Sequence, residues 1–336
     1  MNAFLTSVSS VAEIVLVIIL GYFLRRTKKF DDNFKGSISF LIMNVALPLS
    51  IFVSVLDNLN RDKLVSLSGG LIYVLISFAL GYLVAWILVK VLRVRKGRQG
   101  TFINMFVNAN TIFIGLPLNM ALFGKISLPY FLIYYVANTV STWAIGVFFI
   151  SNDDPTKSDS PDKKQFNWKK LLPAPLLGFL VALVWLLLDL PLPKLVDSTF
   201  SMVGGIVTPL SLIYIGIVLA DAGLSSIHFD RDTIMALIGR FVISPAIMIG
   251  IILTFKNMGH PIYGLESSSL IIQSAAPGLA VLPILVGQSH GDVEYATNLV
   301  TTSTILFVIV VPILMEIIRF CLISLGSLLS EFKLLL

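Results

Sequence analysis

Charge, cysteine and histidine are all scarce in this chain. Of its 336 residues only 13% are charged, one is cysteine and three are histidine, while 56% are hydrophobic. So few charges cannot cover a soluble globular surface, and a mean hydropathy of +0.91 points to an integral membrane protein embedded in a lipid bilayer. The lone Cys321 excludes an internal disulfide and a cysteine-based metal site. His228, His260 and His290 fall in or beside loops without a metal-ligand spacing, so neither a metal nor a cofactor is expected. No phosphate-cradling loop of the Walker type is present, and no nucleophile with a base or paired acids occurs inside the apolar runs. These absences argue against an ATP-driven pump and against an enzyme. Long polar stretches are scarce too: only Ser151 to Lys170 qualifies, and it reads as a cytoplasmic linker too short to fold alone.

What is present is a succession of apolar runs near the 20 residues that cross a bilayer. The run at Phe4 to Leu24 lacks the basic start and small-residue cleavage pattern of a signal peptide, so it reads as a first span. Ten spans are predicted, at 4–24, 37–56, 64–89, 101–124, 126–150, 171–188, 197–220, 232–255, 265–288 and 294–318. Lys and Arg crowd the connections after spans one, three, five and seven, sixteen of them, against seven on the other side. Basic residues near span ends stay in the cytoplasm, which predicts that both termini face outside. The net charge of +5 therefore reports topology, not a nucleic-acid partner.

Two stretches organise the rest. Asn108 to Leu118, NANTIFIGLPL, carries two Asn, a Thr and a Gly115-Leu-Pro117 break inside an apolar span. Ile271 to Pro283, IIQSAAPGLAVLP, repeats the device with Gln273, Ser274 and Pro277-Gly278. Proline removes a backbone hydrogen bond and clashes with the preceding turn, and freed backbone groups in a membrane must face protein or a watery cavity. Pro117 and Pro277 lie 160 residues apart, and Pro48 and Pro209 lie 161 apart. One shared offset argues for a duplicated half, 1–150 and 171–336 around the 151–170 linker. Five spans per half is odd, so the second copy enters the membrane upside down. The fold expected is thus all-α, ten transmembrane helices in two inverted five-helix repeats, with broken helices in spans four and nine placing a substrate near mid-membrane.

These residues carry a resemblance. Asn110-Thr-Ile-Phe-Ile-Gly115-Leu-Pro117-Leu resembles the fourth-helix signature of the auxin efflux carrier family, and Asn44-Val-Ala-Leu-Pro48 is similar to its second-helix motif. Gly239-Arg240-Phe-Val-Ile-Ser-Pro245, Ala275-Ala-Pro277, Gly291-Asp292 and the Ser/Thr-rich tenth span through Pro312 resemble the family's remaining pattern. The resemblance implies spans four and nine crossing at their prolines, often in a homodimer, and carriage of organic anions: auxin in plants, malate-type or malonate-type carboxylates in bacteria. The short linker departs from the long plant members and is similar to the compact bacterial branch, which implies the bacterial plasma membrane. A related alternative is a sodium-coupled carrier of amphipathic acids of the bile-acid type; an alternative of another class is a ligand sensor without flux.

Candidate residues follow. Asn110, with Asn108 and Thr111, can offer amide and hydroxyl donors to a carboxylate, or brace helices as such residues do in membranes. Gln273 and Ser274 hold the corresponding place in the second half. Pro117, Pro277, Gly115 and Gly278 shape the crossing and expose backbone donors. Arg240, about 13 Å along its span at 1.5 Å per residue, binds a carboxylate or pairs with a buried acid or free carbonyls. Glu13 can pair with Arg240, carry a coupling proton or face a vestibule or subunit contact, with sodium as the other coupling ion. Asn44 and Asn138 are expected to be buried amides that brace helices or line the cavity.

Overall fold

The computed structural model describes residues 2–58, 61–156, 174–223, 227–262, 264–287 and 289–324. The predicted linker lies outside the described residues from 157 onward. The described residues form helices and no strand; a single antiparallel bridge joins Ala109 to Gly278. In chain order they are α1 (Asn2–Arg26), α2 (Asp32–Leu41), α3 (Leu47–Asn58), α4 (Arg61–Val91), α5 (Gln99–Val107), α6 (Leu116–Phe123), α7 (Leu128–Val140) and α8 (Val147–Asn152). The second part holds α9 (Ala174–Leu187), α10 (Lys194–Gly204), α11 (Val207–Ala222), α12 (Arg231–Ile238), α13 (Ser244–Asn257), α14 (Gly264–Ser274), α15 (Leu282–Gly287) and α16 (Val293–Ser324).

Six helical stretches among the described residues are long and apolar enough to cross a membrane: Asn33–Asp57, Gly69–Val91, Lys125–Asn152, Lys194–Asp221, Arg231–Asn257 and Val293–Phe320. Four of the long helical runs are interrupted by π turns, at Ile42–Ala46, Thr111–Gly115, Ser141–Gly146 and Gly239–Ile243. Three of these turns directly precede Leu47-Pro48, Leu116-Pro117 and Ser244-Pro245. The pyrrolidine ring clashes with the carbonyl four residues back, and widening the turn by one residue relieves that clash without ending the helix. Proline in this chain therefore loosens helices just ahead of itself.

The packing pairs α1 with α11 and α3 with α9. Both contacts are made backbone to backbone through glycine. A methyl on Gly21 or Gly216 would overlap Ile213 or Ile18 main-chain atoms, and one on Gly178 would overlap Pro48. Large apolar side chains stand exposed on the outer helices, among them Leu16 and Phe23 of α1, Leu75 and Trp86 of α4 and Val184 of α9, a surface suited to lipid. The polar residues are inside instead: Asn104, Asn108, Asn119, Gln273, Ser269 and Arg240 are fully buried. This inversion of the soluble pattern concentrates around the breaks between α5 and α6 and between α14 and α15.

Candidate functional site

The α5 helix is entirely enclosed from Gly100 to Val107. Its first turn is capped from a distance by Asp153 at the end of α8, whose carboxylate accepts from Gly97 N and Gly100 N, both at 2.9 Å. Burial raises the Asp153 pKa, against the lowering effect of those backbone donors. The helix stops at Asn108, where the backbone turns extended. Side-chain amides then take over the stabilisation of the chain. Asn138 of α7 accepts from Ala109 N at 2.8 Å and donates to Ala109 O at 2.9 Å, replacing both backbone bonds that the break removes. Asn108 donates to Asn104 Oδ1 at 2.8 Å and accepts from the Ser141 hydroxyl at 2.6 Å, and Tyr82 closes the network at 2.7 Å from Ser141 Oγ.

The second break spans 275–281, and the two cross as a short antiparallel ladder, with Asn110 N donating to Pro277 O at 2.8 Å. Below the crossing lies Arg240. Its guanidinium donates to Ala276 O, to Phe106 O at 3.2 Å and to Gln273 O at 3.4 Å, with the Tyr134 side chain against it. These carbonyls belong to the last turn of α5 and to the end of α14, the partially negative ends of two half-helices. One cation thus satisfies both.

On the other side of the crossing is a cavity of about 320 Å³, lined by Asn110, Thr111, Asn138, Thr139, Thr142 and Tyr135 on its polar side. Met43, Ile112, Trp143, Leu279, Ala280 and Val281 supply its apolar wall. The Thr142 hydroxyl is buried without a hydrogen-bond partner among the described residues, and the buried Tyr135 phenol meets the Thr139 side chain. Among the described residues, no charged side chain lines this cavity. It receives instead the start of the continuous helix that runs from Thr111 through α6, and the approach to α15 at 279–281, the ends of half-helices that carry partial positive charge.

The predicted residues divide accordingly. Asn110, Thr111 and Asn138 are brought together at the cavity. Asn108, Gln273, Ser274 and Arg240 are not: each is buried and engaged elsewhere, Gln273 Nε2 with Gly115 O at 2.9 Å and Ser274 Oγ with Ile271 O at 2.7 Å. Glu13 and Arg240 do not pair, since Glu13 stands exposed on α1 while Arg240 is enclosed. Asn44 is exposed, not buried, and its amide donates to Phe40 O one turn back at 3.2 Å. The crossing is at Ala109 and Gly278, not at Pro117. Pro117 follows the π turn Thr111–Gly115 at the head of α6, inside the continuous helix that begins at Thr111, whereas Pro283, also after a leucine, stands in the first turn of α15 directly after the second break. Pro277 lies in the second break itself, and Gly115 makes room beneath Gln273. Tyr135, Thr139, Thr142 and Trp143 were not singled out from the sequence. Their signal was there: Thr139, Ser141 and Thr142 are a polar run in the middle of an apolar span.

At the end of the molecule where α5, α12 and α16 begin, loops are tied by charge. Arg98 reaches Asp292 at 2.7 Å and Asp230 at 2.6 Å, its plane 4.4 Å from the Tyr295 ring, and Arg95 also pairs with Asp292. Burial raises the pKa of Asp230 and Asp292, but helix N–H donors and Arg98 outweigh it and hold both below the usual carboxylate range.

A profile of the family described as membrane transport protein matches residues 6–315, nearly the whole chain. The chain belongs to this auxin efflux carrier family. It is 23% identical over 315 residues to an uncharacterized transporter of Methanothermobacter thermautotrophicus, covering 92% of this chain and 98% of that one. It is 20% identical over 309 residues to an uncharacterized transporter of Methanocaldococcus jannaschii, covering 89% and 95%. Membership in the auxin efflux carrier family, with several apolar helices, makes this a multi-pass membrane transporter.

Proposed function

We propose that this transporter carries small organic anions bearing one carboxylate and an apolar body, by alternating access across the plasma membrane. The observation that supports it is the cavity at the crossing. Partially positive helix starts and the unpartnered Thr142 hydroxyl suit a single carboxylate, and the wall of Trp143, Ile112 and Val281 suits an apolar remainder. A second carboxylate, as in malate, would find no cation there among the described residues, because Arg240 is turned to the carbonyls behind the crossing. The exchanged pairing of α1 with α11 and α3 with α9, and the matched Leu-Pro starts of α6 and α15, support two inverted five-helix repeats in a ten-span fold. In that fold both termini face outside, and two copies form a homodimer.

The test is uptake of labelled carboxylates into proteoliposomes at an imposed potential, which acts on an anion with about 2.3 kcal/mol per charge per 100 mV. Saturable, potential-dependent flux of indole acetate exceeding that of malate is expected. Thr142→Val, which removes a hydroxyl and keeps the shape, should raise KM about fivefold, the equivalent of one lost hydrogen bond of about 1 kcal/mol. Faster malate flux would reverse the reading of the cavity, and binding without flux would make the protein a sensor.

A further inference from the structure

Away from the cavity, one face of α14 carries three buried oxygens with no hydrogen-bond partner: Glu266 Oε1, Ser269 Oγ and Gln273 Oε1. The residues stand at i, i+3 and i+7, the spacing of a single helical stripe. Each end of the stripe is accommodated by a glycine from another helix. Glu266 Oε1 occupies the space a side chain on Gly70 of α4 would need, beside Ile133 of α7, and Gln273 Oε1 occupies that of Gly115. Gln273 is held with its oxygen unengaged because its amide nitrogen donates to Gly115 O. The stripe therefore runs from the end of the molecule opposite Arg98 down to the crossing.

We propose that Glu266 is a proton-binding site linked to the transport cycle, with Ser269 and Gln273 as the hydrogen-bonding steps from it to the crossing. The proposal rests on the carrier reading for its link to flux, not for the proton site itself. Along the helix axis the three positions are about 4.5 and 6 Å apart, longer than a direct hydrogen bond of about 3 Å, so a proton passes along the stripe through water admitted between Glu266, Ser269 and Gln273. Glu266 is half-buried, and its Oε1, enclosed against Gly70 and Ile133, has no hydrogen-bond donor among the described residues, so the ionised form loses solvation at that oxygen. The packing of α14 on α4 therefore favours the acid form. The carboxylate takes one proton from water as the helices close and returns it to water as they part. Ionisable groups on the surrounding elements are Tyr73 of α4, Tyr130, Tyr134 and Tyr135 of α7, Lys256 of α13, Glu294, Tyr295, Glu316 and Arg319 of α16 and Lys125, with His260 in the preceding loop. None pairs with Glu266 among the described residues; Tyr73 donates to the His260 carbonyl instead.

The experiment has two readouts on the full-length protein in liposomes. Infrared spectra from about pH 8 to about pH 5 should contain a protonated-carboxyl band that Glu266→Gln removes and that exchanges with deuterium more slowly in Ser269→Ala. Flux of labelled indole acetate at fixed potential should vary with pH in the wild type, approaching about tenfold per pH unit on the alkaline side for a one-proton requirement. In Glu266→Gln it should be flat. Gly70→Ala, which displaces the carboxyl without removing it, should weaken the same response. Identical spectra for wild type and Glu266→Gln, or an unchanged pH response in that variant, overturn the proposal. Should no anion be carried at all, the infrared result still decides the proton site.

Discussion

The two breaks in this protein pose one physical problem and answer it with different chemistry. Between α5 and α6 the released backbone groups are taken up by neutral amides, with Asn138 clamping both polar atoms of Ala109 and Asn104, Asn108, Tyr82 and Ser141 bracing the turn before it. Between α14 and α15 they are taken up by a buried cation, with Asn110 N donating to Pro277 O at 2.8 Å, Ser244 Oγ donating to Ser274 O at 3.0 Å and Ser303 Oγ accepting from Gly278 N at 3.3 Å as neutral contributions. A neutral amide offers a donor and an acceptor together and so repairs an isolated residue; a guanidinium offers only donors and so serves a cluster of carbonyls. The first break is thus locally mended. The second depends on one side chain that also holds the end of the first.

This asymmetry can be broken most severely at Arg240. Arg240→Met removes the guanidinium donor from Phe106 O and Ala276 O, at the end of one half-helix and in the break after the other, while Gln273 O keeps Ala276 N at 3.2 Å, and a loss of about 3–5 kcal/mol is expected in unfolding of the detergent-solubilised protein. Arg240→Lys should recover little, because an ammonium lacks the planar fork that spans Ala276, Phe106 and Gln273. Full stability in either variant would mean that the carbonyls are served another way. A smaller effect is expected at Asn138. Asn138→Leu removes two hydrogen bonds, about 2 kcal/mol together, and should lower flux by displacing Ala109 at the cavity. A variant as stable as the wild type would show the amide clamp to be incidental. Smallest is the Arg98 network, where Asp292→Asn should cost about 1 kcal/mol, since the pair is partly exposed. The sign of its pH dependence follows from the depressed carboxylates of Asp230 and Asp292. Their contribution is fully present above the ordinary carboxylate range near pH 4 and is lost only as pH falls through their lower folded values. Unfolding scans between neutral and mildly acid pH should therefore show no change from this network, with the loss confined to stronger acid.

The prolines made the interrupted spans legible in the sequence, but they misplaced the interruptions. Proline favours the first turn of a helix, where its missing N–H would have had no partner. Leu282-Pro283 accordingly marks where α15 begins, directly after the second break, whereas Pro117 lies within the continuous helix from Thr111, behind a π turn and several residues past the first break. Matching Pro117 with Pro277 joined a residue inside a half-helix to a break. Arg240 was legible as a buried cation with a partner, yet depth along a helix carries no information about which carbonyls it meets. Asn44 and Asn108 show the same limit. Periodicity places an amide in a span but not on a side of it, and only the neighbouring helices decide whether it faces lipid, a network or the cavity.

The glycine contacts between α1 and α11 have a consequence for how this protein can be dissected. Truncation scans find joints by deleting atoms, and at Gly21 and Gly216 there is nothing to delete. Alanine, elsewhere the mildest probe, is here the intrusive one. The closest seam between these helices would therefore register as a blank in a conventional scan and becomes visible only when matter is added to it.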